Sequence, residues 1–244
     1  MLHNTRGIVL RATRYGETSL ICTIFTELYG VQSYMVQGVR SAKAKGNKAG
    51  MLQPSTMLEL TVYHNPQKNL QRIRELSPAY IYQSLHEDVI KNSIALFSVE
   101  LLLKLLPEHA IASELFELSF DYMMQLDLMP VHETANFPLW FIIQCSRILG
   151  YTIHGSYGSD SPHLNLREGA FTRYPPAMSP FVNDEDAMAL DKILKVNEPA
   201  SLKDVPMNAA MRYRLLDWYI EFLHQHTQHL GSIRSLAVLR AILH

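Results

Sequence analysis

Near Ser77 the hydrophobic pattern of this chain changes period. Before it, apolar residues alternate in short runs bounded by turn residues; after it, they recur at three- and four-residue spacing. A 244-residue chain with such a break has room for one large domain or two smaller ones. The front part reads as five strands: TRGIVLRATR, SLICTIFT, VQSYMVQ, MLELTVY and LQRIREL. In MLELTVY, Leu58, Leu60 and Val62 take one face while Glu59 and Thr61 take the other. Turns fall at Tyr15 to Thr18, at Glu27 to Gly30, and at His64 to Asn69 around Pro66. Five short strands joined by turns suggest an OB-type barrel, although an SH3-like barrel gives a similar pattern.

The longest connection in this front part is GVRSAKAKGNKAGMLQP, from Gly38 to Pro54. It carries Arg40, Lys43, Lys45 and Lys48, and no Asp or Glu occurs from Leu28 to Leu58. Small residues separate the lysines, so the segment has no core of its own. A purely basic loop on a β scaffold suits a polyanion, and it suits a solvated linker equally well. The net charge of −1 hides an asymmetry. Residues 1–76 hold ten Lys/Arg against four Asp/Glu, a balance of +6; residues 77–244 hold twelve against nineteen, a balance of −7. The front part is therefore expected to meet an anion.

The order of these pieces resembles a known family. The strand GIVL, the turn YGETS, the turn from Phe25 to Gly30, and the loop that opens GVRS and closes LQP look like the N-terminal domain of the bacterial DNA repair protein RecO family. The resemblance implies an α+β protein: a five-stranded OB-fold barrel over 1–76, then a helical domain over 77–244. It also implies binding of single- and double-stranded DNA, strand annealing, and work with RecR and single-stranded-DNA-binding protein.

The back part reads as helices. Ser77-Pro78 offers an N-cap and an N1 proline for a helical stretch from Tyr80 to Leu106, stopped by Pro107. Ser113 to Leu128 and Thr134 to Leu149 follow, the latter ended by Gly150. Asn183 is placed to cap a helix opening Asp184-Glu185-Asp186, and Asn208 to cap one from Ala209 to Gln228. SIRSLAVLRAIL makes a last short helix after Gly231. Between them, about 150–182 is a Gly/Pro-rich insertion without a long period. Many RecO-like sequences carry a zinc-binding cysteine cluster there. This chain has no Cys in that stretch, and His154 and His163 alone do not make the four-thiolate site, so no metal or cofactor is expected.

Several function classes lack their signature. There is no P-loop, G-x-G-x-x-G, G-x-S-x-G or HExxH. Asp184, Glu185 and Asp186 suit helix capping better than a two-metal nuclease site, and His224, His226 and His229 suit a cationic helix end. Cys22 and Cys145 sit in apolar runs as buried thiols. The start lacks an apolar signal region, and Ile94 to Leu106 is too short and too charged to span a membrane, so a cytoplasmic, nucleoid-associated protein is expected. Three readings compete: a DNA-binding mediator with no catalytic centre, a DNA-processing enzyme with an unrecognised site, and an interaction module. The resemblance favours the first. Its expected DNA contacts are Arg11, Arg14, Arg40, Lys43, Lys45, Lys48, Arg72 and Arg74. Tyr15, Tyr29 and Tyr34 are stacking candidates, although barrel packing accounts for each of them better. For the acidic C-terminal tail of single-stranded-DNA-binding protein, Arg147, Arg212 and Arg214 are the candidates.

Overall fold

The structure, a computed structural model, describes residues 2–39, 48–228 and 230–243. It divides into two compact units, Met1–Leu128 and Met129–His244. In the first, β1 (Leu2–Tyr15), β2 (Ser19–Thr26), β3 (Gly30–Val36), β4 (Met57–Tyr63) and β5 (Leu70–Pro78) close a barrel in the order β1-β2-β3-β5-β4. Neighbours are antiparallel except β3 and β5, whose parallel pairing completes the closure. β1 serves two partners, pairing with β4 along Leu2 to Ile8 and with β2 along Gly7 to Tyr15. A bulge at Leu10, where the β2 register steps from Val9 to Arg11, bends it between them. Val9, Cys22, Ile24, Tyr34, Leu60 and Val62 fill the inside. Gly7 sits where β1 crosses this core; a Cβ there would stand 2.7 Å from Ile24 Cγ2 and 2.8 Å from Leu60 Cδ1, so any side chain would have to displace these core methyls.

Ser77 and Pro78 do not open a helix. They end β5, opposite Glu59 and Leu58 of β4. Helix α1 (Val89–Leu105) begins instead at Asp88, whose carboxylate accepts the amides of Ile90 and Lys91 at 2.9 and 3.0 Å. The stretch 80–88 is a series of bends and turns, so the expected helix from Tyr80 loses its first part. The reason is Asp127, near the end of α2 (Ser113–Leu128). Its buried carboxylate takes the backbone amides of Gln83, Ser84 and Leu85 at 2.9, 2.9 and 2.8 Å, which removes them from any helical ladder. α2 matches its expected bounds, and α1 is apolar nearly all round, with Ile94, Phe97, Leu101 and Leu102 buried.

These two helices complete the barrel's unit. Phe116 of α2 meets Phe25 of β2 edge-on at 5.4 Å. The Arg6 guanidinium lies over Phe116 and Phe120 and pairs with both Glu27 and Glu117. The α1–α2 connection lies on the start of β3, where the His109 amide donates to Val31 O at 3.1 Å. Gly30 holds φ +62° there, and a Cβ would come within 2.0 Å of Ala110 O.

The second unit holds α3 (Phe137–Ile148), α4 (Asp184–Leu194), α5 (Ala209–His226) and α6 (Ser235–Ile242). Trp140 Nε1 of α3 donates to Val196 O, and Gly150, with φ +88°, follows the helix end. The 150–182 insertion carries a small antiparallel sheet of β6 (His163–Asn165), β7 (Ala170–Thr172) and β8 (Phe181–Val182), in the order β7-β6-β8. Strands of two or three residues are too short to show an alternating pattern in sequence. Among the described residues, no helix is long and apolar enough to cross a membrane.

Candidate nucleic-acid interface

Strand β5 organises the basic surface of the barrel. Arg72 and Arg74 are both exposed. Arg74 is the extra residue of a bulge: opposite it, the β4 register steps from Val62–Ile73 to Thr61–Glu75. Its Nε lies 3.3 Å from Glu75 Oε1, an exposed pair of adjacent residues that contributes little and is screened by salt. Lys48, at the returning end of the basic loop, joins them. Lys48, Arg72 and Arg74 line one cleft of about 220 Å³ with Gln37, and among the described residues no carboxylate lines it.

Arg72 also lines a second cleft, of about 650 Å³, with Met35, Tyr63, His64 and Lys68. Again no carboxylate is among the described residues that line it. The two clefts share Met35 and Arg72, so the basic surface runs from Lys48 through Arg74 and Arg72 to Lys68 in the β4–β5 turn. Lys68 and Tyr63 are absent from the sequence-derived contact set. Their only signal was a lysine in the turn HNPQKN and an aromatic residue at the end of a strand.

The other expected contacts divide. Arg14 is in register with Leu20, which pairs with Val36, so it stands at the same end of the barrel as Lys48 and Arg74. Arg11 and Arg14 are exposed but leave opposite faces of β1, since they are three residues apart in a strand. Arg40, Lys43 and Lys45 lie outside the described residues. Arg6, a basic residue of β1 outside the expected set, is occupied: its hydrogen bond to Glu27 and that to Glu117 raise its pKa further against the opposing effect of burial, and Glu27 is in turn held below its ordinary value.

The returning end of the basic loop is clamped. Ser55 has φ +71°, a conformation that costs a non-glycine residue about 1–3 kcal/mol. Its amide donates to Val9 O at 2.7 Å, its carbonyl accepts the Tyr82 hydroxyl at 2.7 Å, and its Oγ lies 3.0 Å from His86 Nε2. Tyr82 and His86 flank the amides that Asp127 holds, so one buried carboxylate fixes the wall against which the loop returns.

Of the tyrosines, Tyr34 is in the core and Tyr29 stacks on His64 at 3.8 Å. Tyr15 is exposed at the β1–β2 hairpin. Tyr63, which is 50% exposed, lies directly opposite Arg72 across β4 and β5.

In the second unit the three candidate arginines are not brought together. Arg212 is 9% exposed; its Nε donates to Asn136 Oδ1 at 2.9 Å and its Nη2 to Met207 O at 3.1 Å, and burial lowers its pKa. Arg147 donates to Leu194 O, at the far end of α3 from Asn136, about 16 Å away at 1.5 Å per residue. Arg214 forms a two-pronged pair with Asp186, with contacts of 2.8 and 2.9 Å. Asp186 is thus engaged by an arginine. Asn183 stands at the N-cap position of α4 without a side-chain bond, whereas Asn208 caps α5 through the Met211 amide at 2.8 Å.

The insertion does not fit a zinc ion. Asn165 Oδ1 organises its turn instead, accepting from the amides of Arg167 and Glu168 at 3.1 and 3.3 Å and from Ser179 Oγ at 3.1 Å. His154 and His163 sit on either side of β7, bridged to Ala170 and paired with Thr172. His226 reaches Leu166 O at 2.9 Å, while His224 is exposed and His229 lies outside the described residues. Cys22 and Cys145 are buried thiols; burial pushes Cys22 up to about 11 and Cys145 well above its ordinary value. Among the described residues, no three His, Cys, Asp or Glu side chains gather as a metal set.

Two family profiles match the chain. The one described as recombination protein O N terminal covers residues 1–82, and the one described as recombination protein O C terminal covers residues 86–236. A protein named DNA repair protein RecO from Bacteroides fragilis is 30% identical over 243 residues, covering 99% of each chain. Proteins of the same name from Phocaeicola vulgatus and Christiangramia forsetii are 29% and 28% identical, again over 99% of each chain.

Proposed function

We propose, from the premise that this chain belongs to the recombination protein O (RecO) family, that it is a DNA-binding recombination mediator of DNA repair with no catalytic centre. The observation that carries this reading is the cleft of Lys48, Arg72 and Arg74, which among the described residues is lined by three cations and no carboxylate. It continues through Arg72 to Lys68 and receives the end of the basic loop. Such a surface neutralises backbone phosphate and releases counterions without reading sequence. Two strands brought to it repel each other less, which lowers the barrier to annealing. Single- and double-stranded DNA are both ligands on this reading, because both present phosphate.

RecR and the acidic tail of single-stranded-DNA-binding protein are the protein partners that the family resemblance implies. All three candidate arginines are engaged within the fold, Arg147 and Arg212 by carbonyl and amide oxygens and Arg214 by Asp186; Arg214, half exposed, is the one that an acidic peptide reaches by exchanging one carboxylate for another. A cytoplasmic, nucleoid-associated location accords with this role.

The test is a titration of both DNA forms at several salt concentrations. Wild type is compared with a variant carrying Lys48→Ala, Arg72→Ala and Arg74→Ala. If each side chain meets one phosphate, the slope of log K against log salt flattens by about 2 for single strands and nearly 3 for duplex. Affinity that does not respond to salt would favour the interaction-module reading. Mg²⁺-dependent strand cleavage would favour the enzyme reading.

A further inference from the structure

The pairing register lays one row of side chains across the outside of the barrel. Ile21 of β2 pairs with Met35 of β3, Met35 with Arg72 of β5, and Arg72 with Tyr63 of β4. Beyond Tyr63 the row ends at Leu2 of β1. Inward-facing neighbours such as Cys22, Tyr34 and Val62 fill the core, so the row itself faces outward. Tyr63 is 50% exposed and Leu2 43% exposed. An aromatic ring and aliphatic side chains therefore lie on the surface with a guanidinium among them. Directly opposite residues of antiparallel strands bring their Cβ atoms to roughly 5 Å, so the Arg72 side chain leaves the sheet next to that of Tyr63. Lys68 lines the same cleft of about 650 Å³, a size ordinary for a small-ligand site.

We propose that this row is a base-stacking platform, with Tyr63 taking the face of an unpaired base while Arg72 and Lys68 hold the flanking phosphates. The inference rests on the reading of the barrel as a DNA-binding surface and makes its ligand more specific. Phosphate neutralisation treats single strands and duplex alike, whereas stacking requires a base that is not already stacked in a helix. Tyr63 is thus the element that gives the barrel a preference for single strands. An exposed ring on an edge-free barrel surface, in a cleft lined by two cations, is the combination that sequence-tolerant single-strand binders use. Tyr34 and Tyr29 do not have it, because the first is buried and the second is covered by His64.

The experiment uses the full chain and one labelled oligonucleotide, offered as a single strand and as the duplex of the same sequence. Tyr63→Ala is expected to weaken single-strand binding roughly 5- to 150-fold, from about 1–3 kcal/mol per stacked base, and to change duplex binding by less than about 2-fold. Tyr63→Phe keeps the ring and is expected to bind as wild type does. Lys68→Ala flattens the single-strand salt slope by about 0.7, while Tyr63→Ala leaves that slope unchanged. Should Tyr63→Ala lower the melting temperature, Tyr63→Trp supplies a second measurement: its added fluorescence is quenched by the single strand and not by the duplex. Equal loss on both DNA forms, or loss on neither, overturns the platform. If wild type itself shows no salt-dependent affinity, the DNA-binding reading fails with it; if wild type binds and Tyr63→Ala binds equally, only the platform fails.

Discussion

Replacing Asp127 with Ala is expected to destabilise the protein by about 3–5 kcal/mol. The carboxylate is 2% exposed and accepts the amides of Gln83, Ser84 and Leu85, with the Tyr80 hydroxyl at 3.1 Å. Hydrogen bonds to a charged group contribute about 1.5–3 kcal/mol each, and a buried donor left without an acceptor costs about 1–3 kcal/mol. Leu85 is fully buried, so its amide finds no water, whereas Gln83 is exposed and its amide rehydrates. The neighbouring Lys91, 4% exposed, adds to the cost: its ammonium donates to Ser84 Oγ at 2.8 Å and to the Asp127 carbonyl at 2.6 Å, and Ser84 links it to the carboxylate. Removing the carboxylate takes away the acceptor that orients Ser84 Oγ toward this ammonium, while the Asp127 carbonyl still receives it. Asp127→Asn keeps one acceptor oxygen and should lose about half as much. Desolvation pushes the Asp127 pKa up, but the three amides and the Tyr80 hydroxyl outweigh it, and the net pKa lies below the ordinary value. A group depressed in the folded state contributes its stability above its unfolded pKa, about 3.9, and loses it as pH falls through the folded pKa. The wild-type advantage over Asp127→Ala should therefore be full at neutral pH and shrink below about pH 4. Denaturant unfolding at several pH values reads this directly. A loss under about 1 kcal/mol at neutral pH, or one that does not change with acid, refutes the reasoning.

Other outcomes follow from the same packing. Residues 1–128 should melt cooperatively when expressed alone, whereas 1–76 should not, because removing 77–128 uncovers Phe25 and the Arg6 cluster; a sharp circular dichroism melt of 1–76 would contradict this. Lys43→Ala with Lys45→Ala should flatten the single-strand salt slope by about 1.4 and leave the melting temperature nearly unchanged, and an unchanged slope would make the loop a linker. Purified protein should hold well under one zinc per chain by elemental analysis and keep its melting temperature in chelator; stoichiometric zinc would place a site at His154 and His163.

The strands were legible because each buries one face, and β-branched residues at alternate positions leave a period of two. α2 was legible at both ends because its apolar spacing begins after a serine and runs unbroken to Leu128. The stretch 80–88 was not, since its local sequence tolerates a helix and the carboxylate that prevents one comes from 42 residues away in sequence at Leu85. The small sheet of the insertion escaped for a different reason: its register is set by hydrogen bonds such as those to Asn165, which no period announces.

The basic residues show the same division between composition and register. Counting charge finds Arg6, Arg72 and Arg74 alike, yet Arg6 is locked between two glutamates while Arg72 and Arg74 face open clefts. Nor does counting place Tyr63 beside Arg72, because that neighbourhood exists only once β4 and β5 pair in one register. The difference matters for annealing. Charge alone holds a strand at any angle and binds the finished duplex as readily as its separate strands, so it lowers repulsion without favouring presentation of the bases. A base stacked by its face on Tyr63 keeps its hydrogen-bonding edge free. On this reading a second strand pairs with the presented base, the base leaves the ring to stack in the new helix, and the platform lets go of the product while the lysines still hold its phosphates. Loss of Tyr63 should then slow annealing more than its effect on duplex affinity accounts for, and an annealing rate that tracks duplex affinity alone would show that the barrel works by charge only.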